Sequence, residues 1–298
     1  MTTAPVTLTA SIPHLGGSRV GYRFAREYDA AKPTLVLVNS FTTSVELYRP
    51  QFADEDLNAV ANLLAIEPFG HGATRSTWEQ FTYWDSAEAN LQVLRTLGID
   101  RAFALGTSQG GWIVARMAML APDRIAGIIA LGTSMDHESP RSRDLGCWDG
   151  VAFCTPAIEA LAEPVGEDWV VDTDFVDAVL EAGLGAEVGE EERTFWHETY
   201  QRHYRGDDGR HRLRTCAVNL RDRDGIQARL GGVSCPVLWL QGTADQVYSV
   251  ANAEEEIALF TGSREARLQV VEGGQHFMSA SHPAVVDQAA IDFVRRWS

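Results

Sequence analysis

The segment Gly106-Thr107-Ser108-Gln109-Gly110 joins two runs of different hydrophobic period. Ahead of it, residues 102–105 are continuously apolar; behind it, residues 112–120 are amphipathic. The first pattern fits a strand buried on both faces and the second fits a helix. The junction must turn sharply, and a residue held in such a turn takes a strained backbone that only small neighbours tolerate. Gly106 and Gly110 are those neighbours. The turn is expected to lift the Ser108 hydroxyl clear of the sheet and to aim nearby N–H groups at one spot. Five residues alone also fit an ordinary glycine-rich turn, so the rest of the chain has to decide.

That context is a regular alternation. Residues 6–12 and 19–25 flank Gly16-Gly17 in a hairpin-like pattern. Residues 34–38 and 62–66 are buried-strand runs, and residues 86–97 carry a helical stripe of Ala87, Leu91, Leu94 and Leu97. Further strands are expected at 126–131, 236–240 and 267–271, with a closing helix at 284–296. Strands alternating with helices predict an α/β fold with a doubly wound, mostly parallel sheet. Residues 139–230 break the rhythm, with helical patches at 174–182 and 190–204 and no convincing strand. We read them as a helical insertion between two parts of one core domain, residues 1–138 and 231–298.

The chain has 298 residues, and 45% of them are hydrophobic, enough for a substantial core. Its net charge of −16 argues against nucleic acid as a partner, because phosphates would be repelled. It has no apolar run of about 18 residues that would span a membrane, and residues 1–11 lack a leader pattern. Cys147, Cys154, Cys216 and Cys235 form no CxxC pair, which fits free thiols in a cytoplasmic protein. Lys32, the one lysine, sits in a polar turn and is no Schiff-base candidate. Oligomeric state is left open, a homodimer included; the expected partner is a small-molecule substrate.

A serine hydroxyl is a poor nucleophile without a base, and the base needs a third group to hold its tautomer. In a doubly wound sheet such groups belong at the carboxyl ends of strands. Asp245 follows the 236–240 run within Gly242-Thr243-Ala244-Asp245, and His276 follows the 267–271 run within Gly273-Gly274-Gln275-His276-Phe277. His71, in Gly70-His71-Gly72 after an earlier strand, is the competing base, and Asp136, past the 126–131 run, is the competing acid.

With these motifs, and with Ser76 after Gly70-His71-Gly72, the chain resembles the α/β-hydrolase superfamily over nearly its whole length. The resemblance implies Ser108 as nucleophile, His276 as general base and Asp245 as its acid, with the helical insertion as a cap. By position it also implies that the backbone N–H groups of Phe41 and Gln109 form an oxyanion hole. One departure concerns the loop after residues 34–38. Family members often carry His-Gly there, whereas this chain has Asn39-Ser40-Phe41-Thr42-Thr43-Ser44.

Trp148, Phe153, Phe277 and Trp196 are the expected pocket aromatics, with Phe41 flanking them; Phe175 and Tyr200 are weighed beside them. His197 and His203 are six residues apart, not the four that puts two imidazoles on one helix face, so no zinc helix is expected. No metal or organic cofactor is implied. The expected activity is hydrolysis of a carboxylic ester or lactone of an apolar or aromatic small molecule. The alternatives are a C–C bond hydrolase acting on a β-diketone or ring-cleavage product, and a non-catalytic ligand-binding protein on the same fold. Dehalogenase and epoxide-hydrolase chemistry is not expected, because Ser108 stands where those activities need a carboxylate.

Overall fold

The structure, a computed structural model, describes residues 6–78 and 80–298. Residues 1–5 of the segment read for a leader pattern lie outside the described part. The described strands form one sheet: β1 (Leu8–Ile12), β2 (Ser18–Phe24), β3 (Thr34–Val38), β4 (Asn62–Ile66), β5 (Ala102–Thr107), β6 (Ile125–Leu131), β7 (Val237–Gly242) and β8 (Ala266–Val271). Their spatial order is β1-β2-β4-β3-β5-β6-β7-β8. The β1–β2 hairpin and the β2–β4 pair are antiparallel; from β4 to β8 every neighbouring pair is parallel. This is the expected doubly wound, mostly parallel sheet.

Strands β3 to β7 are buried on both faces, which is why they read as unbroken apolar runs rather than alternating ones. Their side chains still divide between two cores. Val36, Val38, Leu64 and Ile66 face one, and Leu35, Leu37, Leu63 and Ala65 face the other. The order of strands reverses between β3 and β5, so a crevice opens at their carboxyl ends.

Helices α1 (Arg49–Ala53) and α2 (Glu55–Val60) connect β3 to β4, α3 (Tyr83–Thr96) connects β4 to β5, and α4 (Gln109–Leu120) connects β5 to β6. A capping box fixes the start of α3: the Thr82 hydroxyl oxygen accepts from Asp85 N–H while the Asp85 carboxylate accepts from Thr82 N–H. Between β6 and β7 lie α5 (Pro140–Asp144), α6 (Gly150–Ala160), α7 (Thr173–Leu184), α8 (Glu190–His203) and α9 (Gly206–Arg221). Helix α10 (Val250–Ile257) links β7 to β8, and α11 (Met278–Ser281) and α12 (Pro283–Trp297) follow β8. Residues 206–221, read from sequence only as part of the insertion, form a long helix. Its buried stripe includes Arg210 and Arg212, which pair with Asp207 and Asp208, so charge masks the face that packs. Among the described residues no helix is long and apolar enough to cross a membrane.

Candidate active site

Ser108 stands between β5 and α4 with φ 54° and ψ −120°, a conformation that non-glycine residues rarely adopt. Its surroundings hold it there. Ser108 N–H donates to Leu131 O of the neighbouring strand (2.9 Å), and Thr133 Oγ1 donates to Ser108 O (2.7 Å). A Cβ at Gly106 would lie 2.1 Å from Gly110 O, so strand and helix can pass this closely only with glycine there.

Asp245 lies in the turn after β7, and its side chain is fully shielded from solvent. Oδ1 accepts from the N–H groups of Val247 (2.8 Å) and Tyr248 (3.0 Å), and Oδ2 accepts from Gln241 Nε2 (2.9 Å). The fourth partner is His276, whose Nδ1 is 3.0 Å from Asp245 Oδ2. The two turns are also joined by backbone: Ala244 N–H donates to Gly274 O (3.1 Å), and Gly273 N–H donates to Thr243 Oγ1 (2.9 Å). With Nδ1 facing the carboxylate, Nε2 is the nitrogen left for other chemistry. The sequence reading did not single out Gln241. Its signal was there: one polar residue at the end of an otherwise apolar buried strand.

Ser108 and His276 line one cavity, together with Ser40, Phe41, Trp148, Phe153 and Phe277 and with aliphatic residues of the insertion. Its volume is about 30 Å³, room for roughly one water. Among the described residues no direct hydrogen bond joins Ser108 Oγ to the His276 ring. Such bonds are often long before substrate binds. The aliphatic walls come from α7 (Val179, Ala182), α9 (Leu220) and the turn after β7 (Val247). These were missed because an isolated aliphatic on a helix carries no sign of whether it faces core or cavity.

The loop after β3 lacks the usual glycine, and side chains fix it instead. Asn39 Nδ2 donates to Thr43 O (2.9 Å), and Thr42, at φ 56°, donates its N–H to His71 Nε2 (3.0 Å). The Phe41 N–H has no acceptor among the described residues, and Gln109 N–H, in the first turn of α4, has none within its helix.

His71 stays away from the Asp245 carboxylate. Its Nδ1 lies 2.9 Å from Phe69 O, and its Nε2 lies 2.8 Å from Gln109 Nε2. Burial pushes its pKa from the ordinary 6.5 down to about 4. Both ring nitrogens are occupied, so it is unsuited to accept a substrate proton. Asp136 is likewise engaged elsewhere, with Ser139 Oγ and His137.

Trp148, Phe153 and Phe277 do line the cavity, whereas Trp196 does not. Trp196 is 1% exposed, donates its indole N–H to Glu192 Oε1 (2.8 Å) and meets the Tyr200 ring edge-on. The side of α8 that carries it turns toward core, and its remaining edge borders a separate cleft with Arg49 and Pro50. Phe175 packs behind Phe153, and Tyr200 OH pairs with Thr42 Oγ1 at 2.9 Å.

The family model of the alpha/beta hydrolase fold matches residues 33–145. A protein of Bacillus subtilis (strain 168), provisionally named 2-succinyl-6-hydroxy-2,4-cyclohexadiene-1-carboxylate synthase, is 23% identical, over 92% of this chain and 95% of its own length. Among solved structures, the enol-lactonase of Burkholderia xenovorans LB400 superposes with TM-score 0.74 at 21% identity, covering 96% of this chain and 100% of its own. An esterase of Exiguobacterium antarcticum does so with TM-score 0.78 at 17% identity, covering 97% and 100%. At these identities the structural likeness speaks to fold alone. The chain thus has the α/β-hydrolase fold, and its residues 33–145 match the family model of that fold.

Proposed function

We propose that the chain is a serine hydrolase that cleaves a carboxylic ester or lactone through an acyl-enzyme. The observation that carries this reading is the Asp245–His276 pair at 3.0 Å, opening on the cavity where Ser108 sits in its strained turn. In this reading Ser108 Oγ attacks the carbonyl carbon and His276 Nε2 takes its proton. Asp245 holds the ring and stabilises its charged form. The N–H groups of Phe41 and Gln109 receive the oxyanion, each worth about 3 kcal/mol of barrier. The tetrahedral intermediate collapses, and His276 hands the proton to the departing alcohol oxygen. Water activated by the same ring then releases the acid. The names of the enol-lactonase and the esterase are compatible with this chemistry.

Helices α6, α7 and α9 act as a cap in this reading. They supply Phe153, Val179, Ala182 and Leu220 to the cavity walls. The four cysteines are unpaired and buried, which supports a reducing compartment such as the cytoplasm. The test is turnover of p-nitrophenyl butyrate. Ser108→Ala is expected to lower kcat by roughly 10³-fold or more, and a fluorophosphonate probe is expected to label the native protein at Ser108. An Ser108→Ala protein that hydrolyses the ester at the native rate would remove the reading.

A further inference from the structure

We propose that this cavity selects electrically neutral substrates and rejects those carrying a carboxylate on the acyl or alcohol side. The inference rests on the serine-hydrolase reading for which bond is cut; the charge argument itself concerns only what the cavity can hold.

The polar lining consists of Ser40, Ser108 and His276, all at the reacting end. Everything that would surround the remainder of a substrate is apolar: Trp148, Phe153, Val179, Leu220, Val247 and Phe277 among others. No lysine or arginine contributes to the lining among the described residues, and residues 1–5 and 79 contain neither. A carboxylate placed there loses its hydration and gains no counter-charge, an arrangement that proteins avoid.

A buried cation, Arg223, lies behind the wall and not in the lining. Arg223, with its side chain 1% exposed, pairs with the equally buried Glu138 and donates to Tyr248 OH (3.0 Å). Tyr248 in turn packs against the His276 ring, with centroids 5.5 Å apart. Glu138 and Tyr248 thus hold Arg223 Nη2, while its Nε and Nη1 have no partner among the described residues. Behind the reacting end the Asp245 carboxylate, paired with His276, adds a negative charge. The net charge of −16 adds repulsion at longer range.

The name of one relative specifies a carboxylate and a succinyl group. Such a molecule would bring two negative charges into a site without one free cation in its lining.

The experiment uses a matched pair, p-nitrophenyl methyl adipate and p-nitrophenyl hydrogen adipate, which differ in one terminal ester against one carboxylate. Native kcat/KM, corrected for spontaneous release, is expected to favour the neutral ester by roughly 100-fold or more. Leu220→Arg, which installs a cation in the wall, is expected to narrow that ratio by about tenfold. Hydrolysis of both esters at similar rates by the native protein would overturn the proposal while leaving the serine-hydrolase reading intact. Calorimetric binding of the same pair to the Ser108→Ala protein reads selection without turnover. Tighter binding of the neutral ester supports charge selection even where the native protein releases no p-nitrophenol, in which case the hydrolase reading alone fails. Equal or tighter binding of the acid overturns charge selection.

Discussion

One imidazole touches both halves of the proposed oxyanion site. His71 Nδ1 faces Phe69 O, so the ring is neutral with its proton on Nδ1. Its Nε2 accepts from Thr42 N–H, one residue past Phe41, and from the side chain of Gln109. Tyr83 OH completes the chain by donating to Gln109 Oε1 (3.2 Å). In the serine-hydrolase reading His71 is thus a positioning residue, tying the loop that carries Phe41 to the side chain of Gln109. His71→Asn removes the distant acceptor and is expected to lower kcat on p-nitrophenyl butyrate by about 100-fold with little change in KM. His71→Gln restores an oxygen near the Nε2 position and is expected to recover most of it. Equal losses in the two variants would mean that the ring only fills space. The same ring also makes stability depend on pH. Unfolded, it takes a proton below pH 6.5; folded, it resists down to about 4. Its contribution is intact above pH 6.5 and is lost as pH falls toward 4, by about 3 kcal/mol in all. His71→Gln should therefore lose less stability than the native protein over that interval.

The insertion and the histidine turn meet at a single element end. Helix α7 finishes with carbonyls that have no partner inside the helix, and one of them, Gly183 O, accepts from Phe277 N–H at 2.6 Å. A Cβ at Gly183 would sit 2.3 Å from the Phe277 ring, next in sequence to His276. Alanine is the better helix former by about 1 kcal/mol, so propensity alone predicts that Gly183→Ala stabilises. The contact predicts the reverse, with a lower Tm and at least a roughly tenfold lower kcat/KM as Phe277 is pushed against the histidine turn. A raised Tm with unchanged activity would show that the two segments give way easily. This junction was invisible in the sequence, where Gly183 was only part of a Gly-Leu-Gly stretch without a preceding strand. The sheet was far more legible: β3 and β4 were readable to the residue because strands buried on both faces carry apolar side chains at successive positions, Leu35 to Val38 and Leu63 to Ile66. The insertion was less so. Arg210 and Arg212 obscured α9, Pro156 and Gly150 weakened the helical pattern of α6, and Trp196 looked the same in sequence whether it faced cavity or core. The order of Ser108, Asp245 and His276 was readable because each follows a strand. What holds them, Gln241 on the acid and Thr133 on the elbow, depends on contacts between distant segments.

At the scale of the whole molecule, charge sets two effects against each other. The 41 acidic and 25 basic side chains leave a net charge of −16, and several ion pairs lie at the surface. Arg49–Glu192, Arg95–Glu88 and Arg296–Glu265 are of this kind, with side chains about one-third to three-fifths exposed. Salt weakens these attractions and the general repulsion alike, so the sign of its effect on stability depends on which is larger. Exposed pairs contribute about 0–1 kcal/mol each. The repulsion, by contrast, acts among all uncompensated carboxylates whenever the screening length is comparable to the molecule. A chain of this length has a radius of gyration of about 19 Å. The Debye length is about 30 Å at 0.01 M salt and about 8 Å at 0.15 M. Raising sodium chloride across that interval therefore switches off repulsion between opposite sides of the protein, while pairs in contact keep part of their attraction. The expected result is a Tm higher by about 2–4 °C, corresponding to about 1 kcal/mol, measured by thermal unfolding at constant pH. A Tm that falls with salt would mean that the arginine–carboxylate pairs outweigh the excess of negative charge, and that their partners are better ordered than their exposure suggests.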